Sequence, residues 1–221
     1  MKALTLSVAL ASTAALAGCS SLLGGGGREP TTIYAPQVQV DTDAAWPSIP
    51  WTIVVANPSA PRVIDSSRIA VRPTPDELQV YHGAAWAQSG TDMLQNAVVR
   101  ALEDSGRTAG AGTTESGIRG TFKLVMDVRQ FEADYAGGDM PSATIVLNAK
   151  LVQSYDQSVT ASRTFKVVQP ARGTAVDQVV PAFDQALSQV TSQIVGWALN
   201  SAKAHPPIDP TLPKNMPATS G

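Results

Sequence analysis

Seven apolar residues near the C-terminus, Val176, Val180, Phe183, Leu187, Val190, Ile194 and Trp197, recur at alternating spacings of four and three. A stripe of that length predicts one amphipathic helix from about Asp177 to Lys203. Such a helix cannot hide its apolar side by itself, so the rest of the chain must supply a surface to receive it. Pro181 cannot sit deep in a helix without losing a backbone bond, which predicts a start near Asp177 or a kink at the proline. On the opposite face Asp184, Gln185, Ser188, Gln189, Ser192 and Gln193 carry a single charge among them. A face so poor in charge is either plainly solvated or the centre of a protein contact, because charge depletion marks interface cores. Gln185, Ser188, Gln189 and Ser192 are therefore the candidate partner face, toward another copy of the chain or a different protein.

The surface that receives this helix reads as a sheet. Thr52–Ala56 is a β-branched run closed by Asn57-Pro58-Ser59. A second strand, 68–72, ends against Pro73 and Pro75, and a third, 77–81, alternates Leu78 and Val80. Met93, Leu94, Ala97, Val98, Ala101 and Leu102 then share one face of a helix, capped by Ser89 or Thr91 and stopped by Gly106. Residues 106–117 are rich in Gly, Thr and Ala and read as a mobile loop. Beyond them Phe122, Leu124, Met126 and Val128 alternate with polar neighbours, and the parity flips to Phe131, Ala133 and Tyr135. That flip predicts a bulge near Gln130. Two more strands, joined by a tight turn near Asp156-Gln157, complete an antiparallel meander. The expected fold is α+β, a two-layer arrangement of a mainly antiparallel sheet packed by two amphipathic helices.

The flanks differ in character. Lys2 precedes an apolar run to Leu16, too short to span a bilayer and laid out like a secretory leader. It ends at Leu16-Ala17-Gly18-Cys19, which resembles the lipobox of bacterial lipoproteins. The resemblance implies cleavage before Cys19, a thioether lipid on that thiol and acylation of the new terminus. Several acyl chains anchor where one barely would, since each buried methylene adds about 0.8 kcal/mol. Ser20 follows the cysteine; an aspartate there is the usual inner-membrane retention signal, so the expected location is the outer membrane, facing the periplasm. Residues 20–50 carry Gly24–Gly27 and four prolines and read as a tether, and 205–221 as a proline-rich tail. The expected organisation is a leader over 1–18, a lipidated tether over 19–50, one domain over 51–204 and the tail.

Composition and spacing exclude more than they assign. A formal charge of −2 argues against nucleic acid. Cys19 is the single cysteine, so no internal disulfide can form. Of the two histidines, His205 lies in the tail, leaving His82 as the sole candidate base or ligand. No spacing suggests a triad, a metal cage or a phosphate loop. The expectation is no catalysis, no metal and no cofactor beyond the covalent lipid on Cys19.

One ordered set of motifs remains. Tyr34 lies in the tether, and Asp65-Ser66-Ser67-Arg68-Ile69 opens a strand. Tyr81 and Trp86 precede the first helix, where they are expected to close the corner between sheet and helix. Leu124, Val128, Phe131 and Glu132 share a later strand, and Ala182, Ala186 and Trp197 mark the last helix. In this order, behind a lipobox, the chain resembles the auxiliary lipoproteins of ABC transporters with MCE (mammalian cell entry) domains, the family of the paraquat-inducible C lipoprotein. The resemblance implies a non-catalytic component of a lipid transport system between the inner and outer membranes. Its partners would be an MCE-domain periplasmic protein with its permease and ATPase. The alternatives are an accessory lipoprotein of envelope assembly or secretion, and a module binding a small apolar ligand.

Overall fold

The computed structural model describes residues 30–207. The leader, Cys19, the first part of the tether and most of the proline-rich tail lie outside the described residues. In order the elements are β1 (Thr32–Tyr34), β2 (Thr52–Val55), β3 (Arg68–Thr74), β4 (Glu77–Trp86), α1 (Gly90–Ser105) and β5 (Gly110–Thr113). A single turn of 3-10 helix at Thr114–Ser116 leads to β6 (Phe122–Asp134), β7 (Ser142–Gln153), β8 (Val159–Pro170) and α2 (Val176–Ala204).

The spine is β6. Along one edge it pairs antiparallel with β7 from Phe122↔Gln153 to Asp134↔Ser142, and β7 pairs antiparallel with β8. These three strands are the meander that their alternation predicts, and the register shifts between Val128 and Gln130, where the apolar parity flips. The other edge of β6 is shared. β2 runs parallel to its first part (Ile53↔Phe122), Ser59 bridges Asp127, and β3 runs parallel to its end (Val71↔Ala133). Residues 52–74 thus follow β6 as one interrupted strand. Pro58 and Pro61 flank the interruption, since neither can donate to a ladder. β4 pairs antiparallel with β3, β1 parallel with β4, and β5 parallel with β2.

The sheet is therefore a mixed one of eight strands, with long antiparallel pairs and short parallel ones. The fold is α+β as expected, but the parallel pairs arise from crossovers between distant segments, which local alternation does not reveal. β5 replaces the expected loop: Gly110 pairs with Thr52 and Gly112 with Val54 of β2, and a Cβ on Gly112 would stand 2.9 Å from Ile118. On α1 the Ser89 hydroxyl accepts from the Asp92 N–H at 3.1 Å, and Gly106 at φ 59° stops the helix. Helix α2 begins at Val176, with Pro181 in its second turn.

The folded body also reaches back before Trp51. Trp46 and Ile49 are buried, and the Ile49 N–H donates to the Arg107 carbonyl at 2.8 Å. Within 33–40 the half-buried residues are Tyr34, Pro36, Val38 and Val40, and each is flanked by exposed neighbours. Composition reads this arm as tether because prolines preclude helix; an extended segment docked by alternate side chains needs none.

Candidate functional site

Helix α2 is enclosed on more than one side. Thirteen of its residues are buried, including Val179, Phe183, Val190, Ile194 and Leu199. The predicted stripe lies within that face, with Val176, Val180 and Trp197 only half-buried at its margin. Trp197 meets the edge of Phe165 at 5.7 Å between centroids, so it caps the core rather than filling it. Trp86 does close the corner between sheet and helix: its ring stands edge-on to Phe183 at 5.1 Å and to Phe131 at 6.3 Å. Tyr81 instead sits beside Tyr135, and burial pushes its hydroxyl up to about 12.

The arm uses the side of α2 that bears short residues. Asp184, Ser188, Ser192 and Gly196 recur every four positions and so form one row. The Gln37 N–H faces the Asp184 carboxylate, and the Gln39 N–H donates to Ser188 Oγ at 3.1 Å. Further on, Trp46 lies on Gly196, where an added Cβ would stand 2.6 Å from Trp46 Nε1. Arm and helix therefore advance in the same direction, and the row of small side chains is the seat that lets an extended backbone lie close.

This places the candidate partner face. Ser188 and Ser192 are half-buried, and Ser188 is taken by the arm. Gln185 and Gln189 are exposed; Gln189 Oε1 accepts from Gln169 Nε2 of β8 at 2.6 Å. The sequence shows the missing charges but not the arm, which takes Ser188 of these four positions. The alternation Pro36-Gln37-Val38-Gln39-Val40 was the signal that could have found it.

Asp184 is the awkward member of the row. Its Oδ1 is buried without a hydrogen-bond partner, and burial raises its carboxyl above the usual aspartate range, partly offset by the Gln37 N–H. An acid whose folded pKa is raised favours the fold at acid pH, and that contribution is lost as the pH climbs through the raised value. Asp184→Asn is thus expected to raise the melting temperature slightly at neutral pH and to flatten the stability profile just above the ordinary aspartate pKa. Thermal melts of both proteins between pH 4 and 7 check this; parallel profiles would contradict it.

Alongside the arm runs a cleft of about 400 Å³, bounded by residues 35–40, Ala87, Gln88 and the outer side of α1. Its lining is mixed: Val38 and Val40 from the arm and Met93 and Ala97 from α1 share it with Gln37, Gln88, Asn96, Arg100 and Asp104. Arg100 is exposed and makes no hydrogen bond or ion pair among the described residues. His82 lies exposed on β4 and His205 just past α2, far apart in the sequence and on different elements.

The motif residues have structural posts. The Thr91 hydroxyl, fully buried, donates to Asp65 Oδ1 at 2.6 Å and ties the loop before β3 to the start of α1. Glu132 is buried and accepts from Arg72 Nε at 2.7 Å, Arg72 Nη2 at 3.3 Å and Gln130 Nε2 at 3.0 Å. That hydrogen bond and the carboxylate charge hold the Arg72 guanidinium more firmly protonated than usual.

A family model described as ABC-type transport auxiliary lipoprotein component matches residues 32–195, from β1 to the last turns of α2. The crystal structure of protein XCC0632 from Xanthomonas campestris is 56% identical, with a TM-score of 0.76, covering 79% of this chain and 98% of that one. A second solved structure, of an uncharacterized protein, shares the fold at 15% identity and a TM-score of 0.58, covering 76% of this chain and 97% of that one. Among curated proteins, an uncharacterized protein of Bradyrhizobium diazoefficiens, bll6063, is 21% identical over 184 residues, or 83% of this chain. The chain spans about half the length of that relative, 49%.

Proposed function

Because the chain belongs to the family of ABC-type transport auxiliary lipoprotein components, we propose that it is the non-catalytic, lipid-anchored component of a system moving lipid between the inner and outer membranes. It is held at the outer membrane through Cys19 and faces the periplasm. An MCE-domain protein forms the conduit, and a separate permease and ATPase supply the work. The observation that carries this reading is the family match across nearly the whole described fold, arm included. No described helix is long and apolar enough to cross a membrane, so attachment in this reading rests on the lipid. The arm is the link: it lies on the anchor's side of the chain in sequence and is fastened along α2. The exposed Gln185 and Gln189 are the part of the helix left for a neighbour, either the conduit or another copy.

The anchor is tested by Cys19→Ala. The variant is expected to remain folded, because Cys19 precedes the described fold, while losing lipid label and leaving the outer-membrane fraction. Recovery of correctly cleaved variant in that fraction, in the amount seen for wild type, would contradict the anchor.

A further inference from the structure

We infer that β8 of one copy of this chain pairs antiparallel with β4 of a second copy, joining the two open edges of the sheet. The strand registers place both edges at one height. Val80 lies opposite Ala70, and Val71 opposite Ala133, which sets Ala70 beside Glu132. Glu132 lies opposite Thr144, and Thr144 opposite Val168. Val80 and Val168 are thus the two ends of a single row that crosses β4, β3, β6, β7 and β8. Residues in such a row share a face of the sheet. Phe131, next to Glu132, packs on Phe183 of α2, so the row lies on the face turned away from that helix. Neither edge is closed among the described residues: no strand follows β8, and β1 covers β4 only from Ala84 onward. Leu78 and Val80 at one edge are 40% and 39% exposed, and Val168 at the other is 47% exposed. A strand laid on either edge would cover them.

Charge selects the occupant. β8 holds Arg163 and Lys166 and no acid, and exposed Arg172 follows it. Exposed Asp76 and Glu77 open β4, which holds no Lys or Arg. Two β8 edges repel each other, as do two β4 edges, whereas one of each attracts. With Val168 set opposite Val80 of the second copy, antiparallel order brings Pro170 to Leu78 and Arg172 to the level of Asp76. Pro170 has no N–H to donate and ends the ladder there. Above the same edge Gln169 Nε2 donates to Gln189 of α2 at 2.6 Å, so the exposed glutamines of that helix meet the second copy as well. Because the two edges differ, the contact runs head to tail. A joined pair keeps one edge of each kind, and copies add until the row closes.

This contact is independent of what the system transports, and crosslinking between copies tests it. Val80→Cys and Val168→Cys are made singly in the full-length protein, mixed in mild detergent and gently oxidised. Within one chain the two positions lie four strand spacings apart, about 19 Å. A disulfide needs Cα atoms within about 7 Å, so any bond between them joins two copies. The expected product links the residue-80 peptide to the residue-168 peptide, identified by mass so that a thiol left at Cys19 is not mistaken for it. Each variant alone is expected to give little product. Asp76→Lys on the first copy is expected to lower the mixed yield about two- to fivefold, the worth of one exposed charge contact. Arg172→Glu on the second copy is expected to restore it. A residue-80 to residue-80 product equal to the mixed one would overturn the contact. So would a mixed yield no higher than that of Tyr155→Cys with Val168→Cys, or one unmoved by Asp76→Lys. A chain that captures its transporter yet gives no mixed product overturns this inference alone.

Discussion

Phe183→Ala is expected to destabilise the folded chain by about 3–5 kcal/mol, the largest effect of any single truncation in the core. Phe183 is fully buried where α2 crosses the sheet, with its ring 5.1 Å from that of Trp86 and 5.2 Å from that of Phe131. Removing it strips contacts from both partners and leaves a void that the rigid sheet cannot close, because β4 and β6 are each held by a neighbouring strand. For a domain of this size the melting temperature should fall by about 10 °C. Phe183→Leu keeps most of the volume and should cost less than half as much. Trp197→Ala should also cost less, since half-buried Trp197 loses less on truncation. Denaturant titrations of the three variants check the order, and an unchanged midpoint for Phe183→Ala would mean that this face of α2 does not pack on its own sheet.

Glu132→Ala is expected to cost about 3 kcal/mol, by a different mechanism. Its carboxylate is buried on β6 and satisfies two donors of Arg72 and one of Gln130. Deleting it leaves a guanidinium facing an apolar gap with only the Pro75 carbonyl still accepting from it at 3.0 Å. The cost stays at the lower end of the range for broken buried pairs because about a quarter of the Arg72 side chain, 23%, already meets solvent. Replacing both residues, Arg72→Met with Glu132→Leu, should cost less than Glu132→Ala alone, since no charge is then stranded. A double mutant less stable than the single would show that the pair contributes through packing rather than charge.

What could be read from the sequence depended on how far apart the interacting residues lie. The caps of α1 at Ser89 and Gly106, the bulge before Gln130 and the β6–β8 meander are set by neighbours within a few positions, and alternation and turn chemistry exposed them. The mixed topology was not legible, because Ile53 finds Phe122 and Val71 finds Ala133 only through long crossovers. The arm was the largest omission. Its partners Asp184, Ser188 and Gly196 lie some 150 residues downstream, and each is short or weakly polar, so nothing in either segment names the other. The charge-poor face of α2 was visible, but half of its meaning is intramolecular: the row from Asp184 to Gly196 is bland because a backbone must lie on it. Glu132 stood out only as part of a motif; its burial and its pairing with Arg72 needed the parallel pairing of β3 with β6.

The central claim is that this lipoprotein works as part of an ABC-type transport system. The most direct measurement is affinity purification of the tagged, lipidated chain from native membranes in mild detergent, with quantitative mass spectrometry of what accompanies it. The expected result is co-enrichment of an MCE-domain protein with its permease and ATPase, reduced when Cys19→Ala releases the chain from the membrane. Recovery of the lipoprotein with secretion or outer-membrane assembly machinery instead, and without any ATPase or permease, would contradict it.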